Sequence, residues 1–269
     1  EILGTVNVLV CMMRWDASSP PIDQAQLNQV MQEVREWYRE VSYGQAFIAS
    51  QYAGNTLWTG PYPENNLGEL TAAIETCDPE VDFNSIDAMI IFPGLTSGGS
   101  GDVGNYASVV TQDGILEELN VIRIGQDYFN KYVIGHELGH QPFNLPHANA
   151  LECNSFSFRE NYPSQCQLLE YGNLFSIMGF ASYGGHFVGW TKHIAGKWLD
   201  VQLITSDGQY PLHVLETPSS TYPQTLRIPF SESSLSLEYR KTILQDERIN
   251  QQLQLEAWPD ALPLNGCLI

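Results

Sequence analysis

The chain has 269 residues, of which 43% are hydrophobic and 16% are charged, and its formal net charge is −19. Twelve basic residues against 31 acidic ones exclude a phosphate-binding surface, so nucleic acid is not an expected partner. No run of 18 or more apolar residues occurs, which excludes a membrane-spanning helix. The dispersed acidic charge is typical of a soluble protein; calcium sites and a preference for basic substrates are the alternatives, and no EF-hand loop supports calcium.

The first half of the chain alternates strand-like and helix-like patterns. The predicted elements are, in chain order, a buried strand at 5–13, a helix between Pro20 and Gly44, a strand at 45–53, a short helix at 65–77, strands at 86–92, 105–111 and 119–124, and a helix that begins near Asn130. The segment 96–104 (TSGGSGDVG) lacks the lysine and the following helix of a phosphate-binding loop, so we interpret it as a flexible loop. This order predicts an α/β sheet that ends in a histidine-bearing helix.

The pattern changes after about residue 200. Short alternating runs, among them QTLRIPF and SLSLEYRK, are separated by Ser, Gly and Pro, and the sequence ends in the strand-like NGCLI. Such runs predict antiparallel strands of a small β module. We therefore expect a first domain over residues 1–200 and a β-rich domain over residues 201–269.

The five cysteines form no CxxC pair, which argues against a cysteine zinc site. Cys153 and Cys166 bracket a polar stretch and could close a short disulfide, as suits an extracellular protein. Cys11 lies in an apolar strand pattern and is interpreted as a small buried residue. The N-terminal segment lacks the basic region of a signal peptide, so we expect a mature form from which any signal and pro-segment have been removed.

The segment HELGHQPFNLPHAN, residues 136–149, contains the motif HExxH. Histidines at i and i+4 share one helical face, so His136 and His140 can bind one zinc ion. Glu137 would face the water on that zinc and act as its general base. The alternative for the motif alone is a solvent-facing helix that happens to carry two histidines.

A catalytic zinc needs a third protein ligand. The metzincin motif HExxHxxGxxH would place glycine at Phe143 and histidine at Pro146, yet Asn144 and His147 keep the spacing from turn to histidine. Asn tolerates the left-handed turn conformation, and Pro142 would loosen the helix end, so one inserted residue can be absorbed. We predict His147 as the third ligand. His147 as an ordinary loop residue, and Glu160 as a gluzincin-type ligand, are the alternatives.

The chain resembles the gametolysin-like branch of the metzincins. The resemblance rests on HELGH with His147, on the Met-turn-like NLFSIMG that contains Met178, and on HFVGWTKHIAGKWL, LRIPF, LEYRK and WYREVSYGQAF. It implies an α+β catalytic domain with a twisted mixed sheet and an active-site helix. It also implies a secreted zinc endopeptidase that acts on proteins and loses a pro-segment, with His136, His140 and His147 as zinc ligands, Glu137 as base and Met178 as support. A substrate strand would pair with a sheet edge near 105–110.

Two other function classes compete with the endopeptidase. The first is a non-catalytic binding or adhesion protein on a degenerate metzincin scaffold, which the shifted His147 favours and the intact Glu137 does not. The second is a zinc hydrolase of small peptides, such as an aminopeptidase. Tyr183 is interpreted as a packing residue with a role near the metal as its alternative, and His186 and His193 as structural residues.

Overall fold

The computed structural model describes residues 3–96, 98–102, 109–116, 118–153, 166–180, 184–230, 233–241, 243–247 and 266–268. Its contacts divide the chain into two compact units, Ile2–Asn144 and Leu145–Ile269, called here the N-terminal unit and the C-terminal unit. The predicted domain boundary at residue 200 stays a prediction. No helix in the described part of the chain has both the length and the apolar character needed to cross a bilayer.

The N-terminal unit is built on a five-stranded mixed sheet with helices. Its elements are β1 (Gly4–Arg14), α1 (Gln24–Val41), β2 (Ala46–Leu57), α2 (Asn66–Cys77), β3 (Ala88–Phe92), β4 (Gly99–Asp102), β5 (Val109–Thr111), β6 (Gly114–Leu116), β7 (Asn120–Ile124) and α3 (Lys131–His140). The sheet order is β2-β1-β3-β7-β4, with β4 antiparallel to β7 and the other pairs parallel. The predicted mixture of strands and helices is confirmed, and β5 and β6 form a separate hairpin.

Strand β1 is buried along most of its length and pairs with β2 on one side and β3 on the other. Apolar runs of this kind are typical of parallel strands covered on both faces, which is why the sequence predicted them well. Helix α1 begins after Asp23, whose carboxylate accepts hydrogen bonds from the N–H groups of Ala25 and Gln26. The buried residues of α1 recur at helical spacing and include Trp37 and Tyr38.

Strand β4 corrects the prediction of a flexible loop at 96–104. Residues Gly99–Asp102 pair with β7 and form the edge of the sheet. A glycine-rich stretch has no hydrophobic alternation, so its sequence pattern contained no strand signal. Of the expected substrate edge at 105–110, residues 105–108 lie outside the described residues, and 109–110 belong to β5 of the separate hairpin. The strand at the edge of the main sheet next to β7 is β4.

Cys11 is buried, as predicted, but it is also bonded to a second cysteine, which the sequence did not indicate. Cys11 of β1 forms a disulfide with Cys77 at the end of α2, and their Cα atoms are 6.1 Å apart. Both residues are fully buried in an apolar cluster that also contains Leu9, Leu70 and Met89. The disulfide therefore links a central strand to the helix that packs on it.

The C-terminal unit contains two smaller sheets. Its elements are β8 (Ala150–Cys153), β9 (Cys166–Leu169), α4 (Gly189–Gly196), β10 (Val201–Leu203), β11 (Thr225–Phe230), β12 (Ser233–Arg240) and β13 (Gly266–Leu268). β8 and β9 form an antiparallel hairpin in which the backbone of Cys153 lies opposite that of Cys166. The β-rich tail is confirmed as the sheet β10-β11-β12-β13, but β10 pairs with β11 in parallel, not antiparallel as predicted.

Candidate metal centre

Helix α3 carries the first two histidines and begins where the sequence predicted. Asn130 caps it, because its side-chain oxygen accepts hydrogen bonds from the N–H groups of Tyr132 and Val133, each at 3.1 Å. His136 and Glu137 are buried within the helix, with 6% and 7% of their surfaces exposed. An ionisable pair at this depth in a helix is unusual in a core and is typical of a functional site.

The imidazoles of His136 and His140 lie on one face of α3. Their Nε2 atoms are 3.1 Å apart, and the two rings are nearly perpendicular, at 84°. Two nitrogen ligands of a tetrahedral zinc ion would be about 3.3 Å apart for bonds of about 2.0–2.1 Å. The two rings therefore already have the separation that a shared metal ion requires.

The helix ends directly after His140, as the hypothesis of early unwinding predicted. Gln141 is extended (φ −135°, ψ 111°), and Asn144 adopts the left-handed conformation at φ +54°. The N–H of Asn144 donates to the carbonyl oxygen of His140 at 3.0 Å. Asn144 thus makes the turn that glycine makes in the longer motif.

Phe143, at the position expected for that glycine, has a packing role. Its ring is buried and stacks on Tyr38 of α1 with the ring centroids 5.2 Å apart. The Tyr38 hydroxyl in turn donates to the carbonyl oxygen of Gly135 in α3 at 2.9 Å. The inserted residue therefore lets a core aromatic hold the segment that follows the helix.

The third histidine meets the first two. His136, His140 and His147 each offer a ring nitrogen, and these atoms lie within 4.8 Å of one another. This is the one cluster of three or more potential metal-binding side chains among the described residues. Three imidazoles fit a transition metal such as zinc, whereas calcium prefers oxygen ligands. The three residues could therefore hold a metal ion, as predicted, and the identity of the metal stays a prediction.

Glu137 lies beside the edge strand β4. A Cβ atom added to Gly99 would be 2.7 Å from Glu137 Oε1 and 2.5 Å from Val133 Cγ1. A side chain at position 99 would therefore displace the Glu137 carboxylate. The absence of a side chain at this point of the edge strand leaves room for that carboxylate, a packing requirement that sequence reasoning missed.

Met178 lies in a buried turn, as the Met-turn prediction requires. Its carbonyl oxygen accepts a hydrogen bond of 2.8 Å from the N–H of Ala148, the residue that follows His147. A Cβ atom at Gly179 would overlap the carbonyl oxygen of Asn173, so the turn needs a glycine there. The turn is thus bonded directly to the backbone next to the third histidine.

Of the other candidate residues, the structure describes His186 and His193. Glu160 and Tyr183 lie outside the described residues. His193 Nδ1 donates to the carbonyl oxygen of Leu199 at 3.2 Å, in keeping with a structural role. Tyr183 and Glu160 therefore keep the interpretations given from the sequence.

His186 belongs to a buried ionic network in the C-terminal unit that sequence reasoning missed. The network contains His186, Lys192, Glu216, Glu238, Arg240 and Asp246, all buried. Lys192 Nζ and His186 Nδ1 are hydrogen-bonded at 2.8 Å, and the Arg240 guanidinium donates to Asp246 at 2.9 Å. Burial and, to a lesser extent, the positive charge of Arg240 lower the pKa of Lys192 to about 7.

Comparison with known proteins adds no family to these observations. No protein-family model matches the chain, and no curated protein matches its sequence.

Proposed function

We propose that the protein is a secreted zinc-dependent endopeptidase with a metzincin-like catalytic domain similar to that of the gametolysin-like family. The observation that carries the proposal is the grouping of His136, His140 and His147, whose ring nitrogens lie within 4.8 Å of one another. Glu137, adjacent to the first of these histidines, is buried where a general base is needed. The mixed sheet with its antiparallel edge strand, the turn at Asn144 and the turn at Met178 support the same assignment.

In this proposal the three imidazoles hold the zinc ion. When bound, zinc supplies Lewis acidity that polarises the scissile carbonyl and makes water a nucleophile near neutral pH. The carboxylate of Glu137 accepts a proton from the attacking water as the new C–O bond forms. It then gives that proton to the departing amide nitrogen as the C–N bond breaks.

The substrate in this proposal is an extended protein segment that adds to the edge strand β4. Main-chain hydrogen bonds to β4 would align the substrate without selecting its sequence, as in other cases of strand addition. Gly99 of β4 lies against Glu137, so a peptide bond paired near this glycine would be close to the base. This arrangement favours an endopeptidase over an enzyme for dipeptides, since a long edge contact needs a long substrate.

The disulfide between Cys11 and Cys77 supports a secreted protein. Buried disulfides that cross-link core elements persist in oxidising compartments and are rare in the cytosol. The large excess of acidic residues keeps such a protein soluble outside the cell.

The decisive experiment compares the wild type with Glu137→Ala for zinc content and for hydrolysis. We expect the wild type to bind one zinc ion and to cleave an unfolded protein but not a panel of dipeptides. We expect Glu137→Ala to keep the zinc and to lose roughly 10²-fold or more of the activity, because it removes only the base. Anomalous diffraction at the zinc edge would check that the metal lies between the three histidines.

The outcomes separate the competing functions. Full activity in Glu137→Ala would exclude Glu137 as the general base. Zinc binding by the wild type without cleavage of any peptide would favour the non-catalytic binding protein, and cleavage of dipeptides alone would favour an aminopeptidase.

A further inference from the structure

His147 is held by a hydrogen-bonded carboxylate. Its Nδ1 atom lies 2.9 Å from Oε1 of Glu170, and the side chains of the two residues are 25% and 68% exposed. The proposed mechanism gives Glu170 no role. Surface ion pairs contribute little to stability on their own, so stability alone does not account for the contact between Glu170 and His147.

The hairpin β8–β9 brings the two residues together. Ala150, the first residue of β8, pairs with Leu169, the last residue of β9. The residues just before β8 therefore lie beside those just after β9. The N–H of Tyr171 donates to Oδ1 of Asn149 at 3.1 Å, which closes the base of the hairpin. His147 and Glu170 are therefore neighbours although 23 positions separate them in sequence.

Tyr171 contacts the imidazole of His147 as well. Its ring centroid lies 3.9 Å from that of His147, and its backbone adopts the left-handed conformation at φ +58°. Glu170 and Tyr171, which are consecutive in the chain, thus both contact the imidazole of His147, one by a hydrogen bond and the other by a ring contact. Such a pair of contacts restricts rotation of the ring about its side-chain bonds.

The direction of the hydrogen bond determines which nitrogen of His147 can bind a metal. An ionised carboxylate only accepts hydrogen bonds, so Nδ1 must carry the proton that it receives. In a neutral imidazole the lone pair is then on Nε2. Nε2 is also the nitrogen of His136 that lies closest to His140.

We propose that Glu170 is a positioning residue for the metal centre: it fixes His147 as the tautomer that presents Nε2 to the metal. The inference rests on the proposed function, because it assumes that the three histidines bind zinc. A positioning carboxylate is suited to this chain, since the inserted residue lengthens the segment between His140 and His147. The hairpin then fixes the orientation of the third ligand despite the longer connection.

The test is the zinc affinity of Glu170→Ala and Glu170→Gln, measured by competition with a chelating dye. We expect Glu170→Ala to weaken zinc binding by about 10-fold or more, in the range found for carboxylates behind histidine ligands. Glu170→Gln keeps an oxygen acceptor for Nδ1–H and should retain most of the affinity. Glu33→Ala, which removes an exposed glutamate from α1, is the control for the loss of one negative charge.

Nitrogen NMR of His147 in the metal-free protein gives a second readout that does not depend on activity. We expect the proton on Nδ1 in the wild type and a mixture of tautomers in Glu170→Ala. Equal zinc affinity in the wild type and Glu170→Ala would overturn the inference and leave the proposed function intact. Zinc binding that depends on Glu170, without any peptide hydrolysis, would overturn the proposed function and support the inference. A wild type that binds no zinc would overturn both.

Discussion

The ring of Phe143 stacks on that of Tyr38, with the centroids 5.2 Å apart and the planes inclined by only 13°. Phe143 lies three residues after His140, so the contact anchors the segment that leaves the motif helix. Tyr38 lies in α1 and also bonds the Gly135 carbonyl in α3. Phe143, which stands where the motif HExxHxxGxxH has glycine, therefore adds a core contact between α1 and the segment after α3.

Replacing Phe143 by alanine should destabilise the protein by about 3 kcal/mol, because a buried aromatic is lost and a cavity remains. Phe143→Leu keeps most of the apolar volume and should cost less. Urea unfolding of both variants measures the difference. Equal stability of Phe143→Ala and the wild type would show that the stacked contact does not hold the segment.

The sequence predicted those parts of the fold that depend on local signals. Apolar runs identified β1, β3 and β7, and helical spacing that ends before Gly44 identified α1. The turn at Asn144 was predictable because few residues other than glycine tolerate the left-handed conformation. The candidate metal residues followed from motif spacing for the same reason: one helical turn sets the geometry of His136 and His140.

Other features depend on contacts between distant residues, and local patterns do not contain them. Cys11 and Cys77 are separated by 66 positions, and nothing in either neighbourhood indicates the partner. Strand β4 has no hydrophobic alternation, and its pairing with β7 is visible only in the sheet. Glu170 meets His147 only because a hairpin closes between them.

Gly99→Ala should reduce peptide hydrolysis without removing the zinc. The new Cβ atom would be 2.7 Å from Glu137 Oε1, so the carboxylate must move. A displacement of about 1 Å can cost roughly 10²-fold in rate, so we expect a fall in kcat of at least about 10-fold. Gly98→Ala is the matched control, since a Cβ atom there has nothing within 4 Å. Equal activity of the Gly99→Ala and Gly98→Ala variants would argue against Glu137 as the base at this position.

Reduction of the Cys11–Cys77 disulfide should destabilise the N-terminal unit. A cross-link that closes a loop of this length typically contributes about 2–5 kcal/mol. We expect a reductant to lower the Tm of the wild type, and to have a smaller effect on the double variant Cys11→Ala, Cys77→Ala. An identical response of both proteins would mean that the sensitivity to the reductant comes from other cysteines.

The ionic network in the C-terminal unit should make stability depend on pH through Glu216. Burial, a hydrogen bond with Asp246 and the negative charge of Asp246 together raise the pKa of Glu216 to about 8. Since the folded pKa lies above the unfolded value, the neutral carboxyl contributes stability that is fully present below the unfolded pKa of about 4.5. That contribution is lost as the pH rises through about 8, because the unfolded state ionises first.

Glu216→Gln replaces the neutral carboxyl by an amide that does not titrate. The variant should therefore not lose this stability as the pH rises. We expect the variant to gain stability relative to the wild type as the pH is raised from about 5 to about 8, in urea unfolding at both values. Glu33→Gln, at an exposed position of α1, controls for the charge and should keep the pH dependence of the wild type. The same change in stability with pH in Glu216→Gln and in the wild type would show that Glu216 is already ionised in the folded protein near neutral pH.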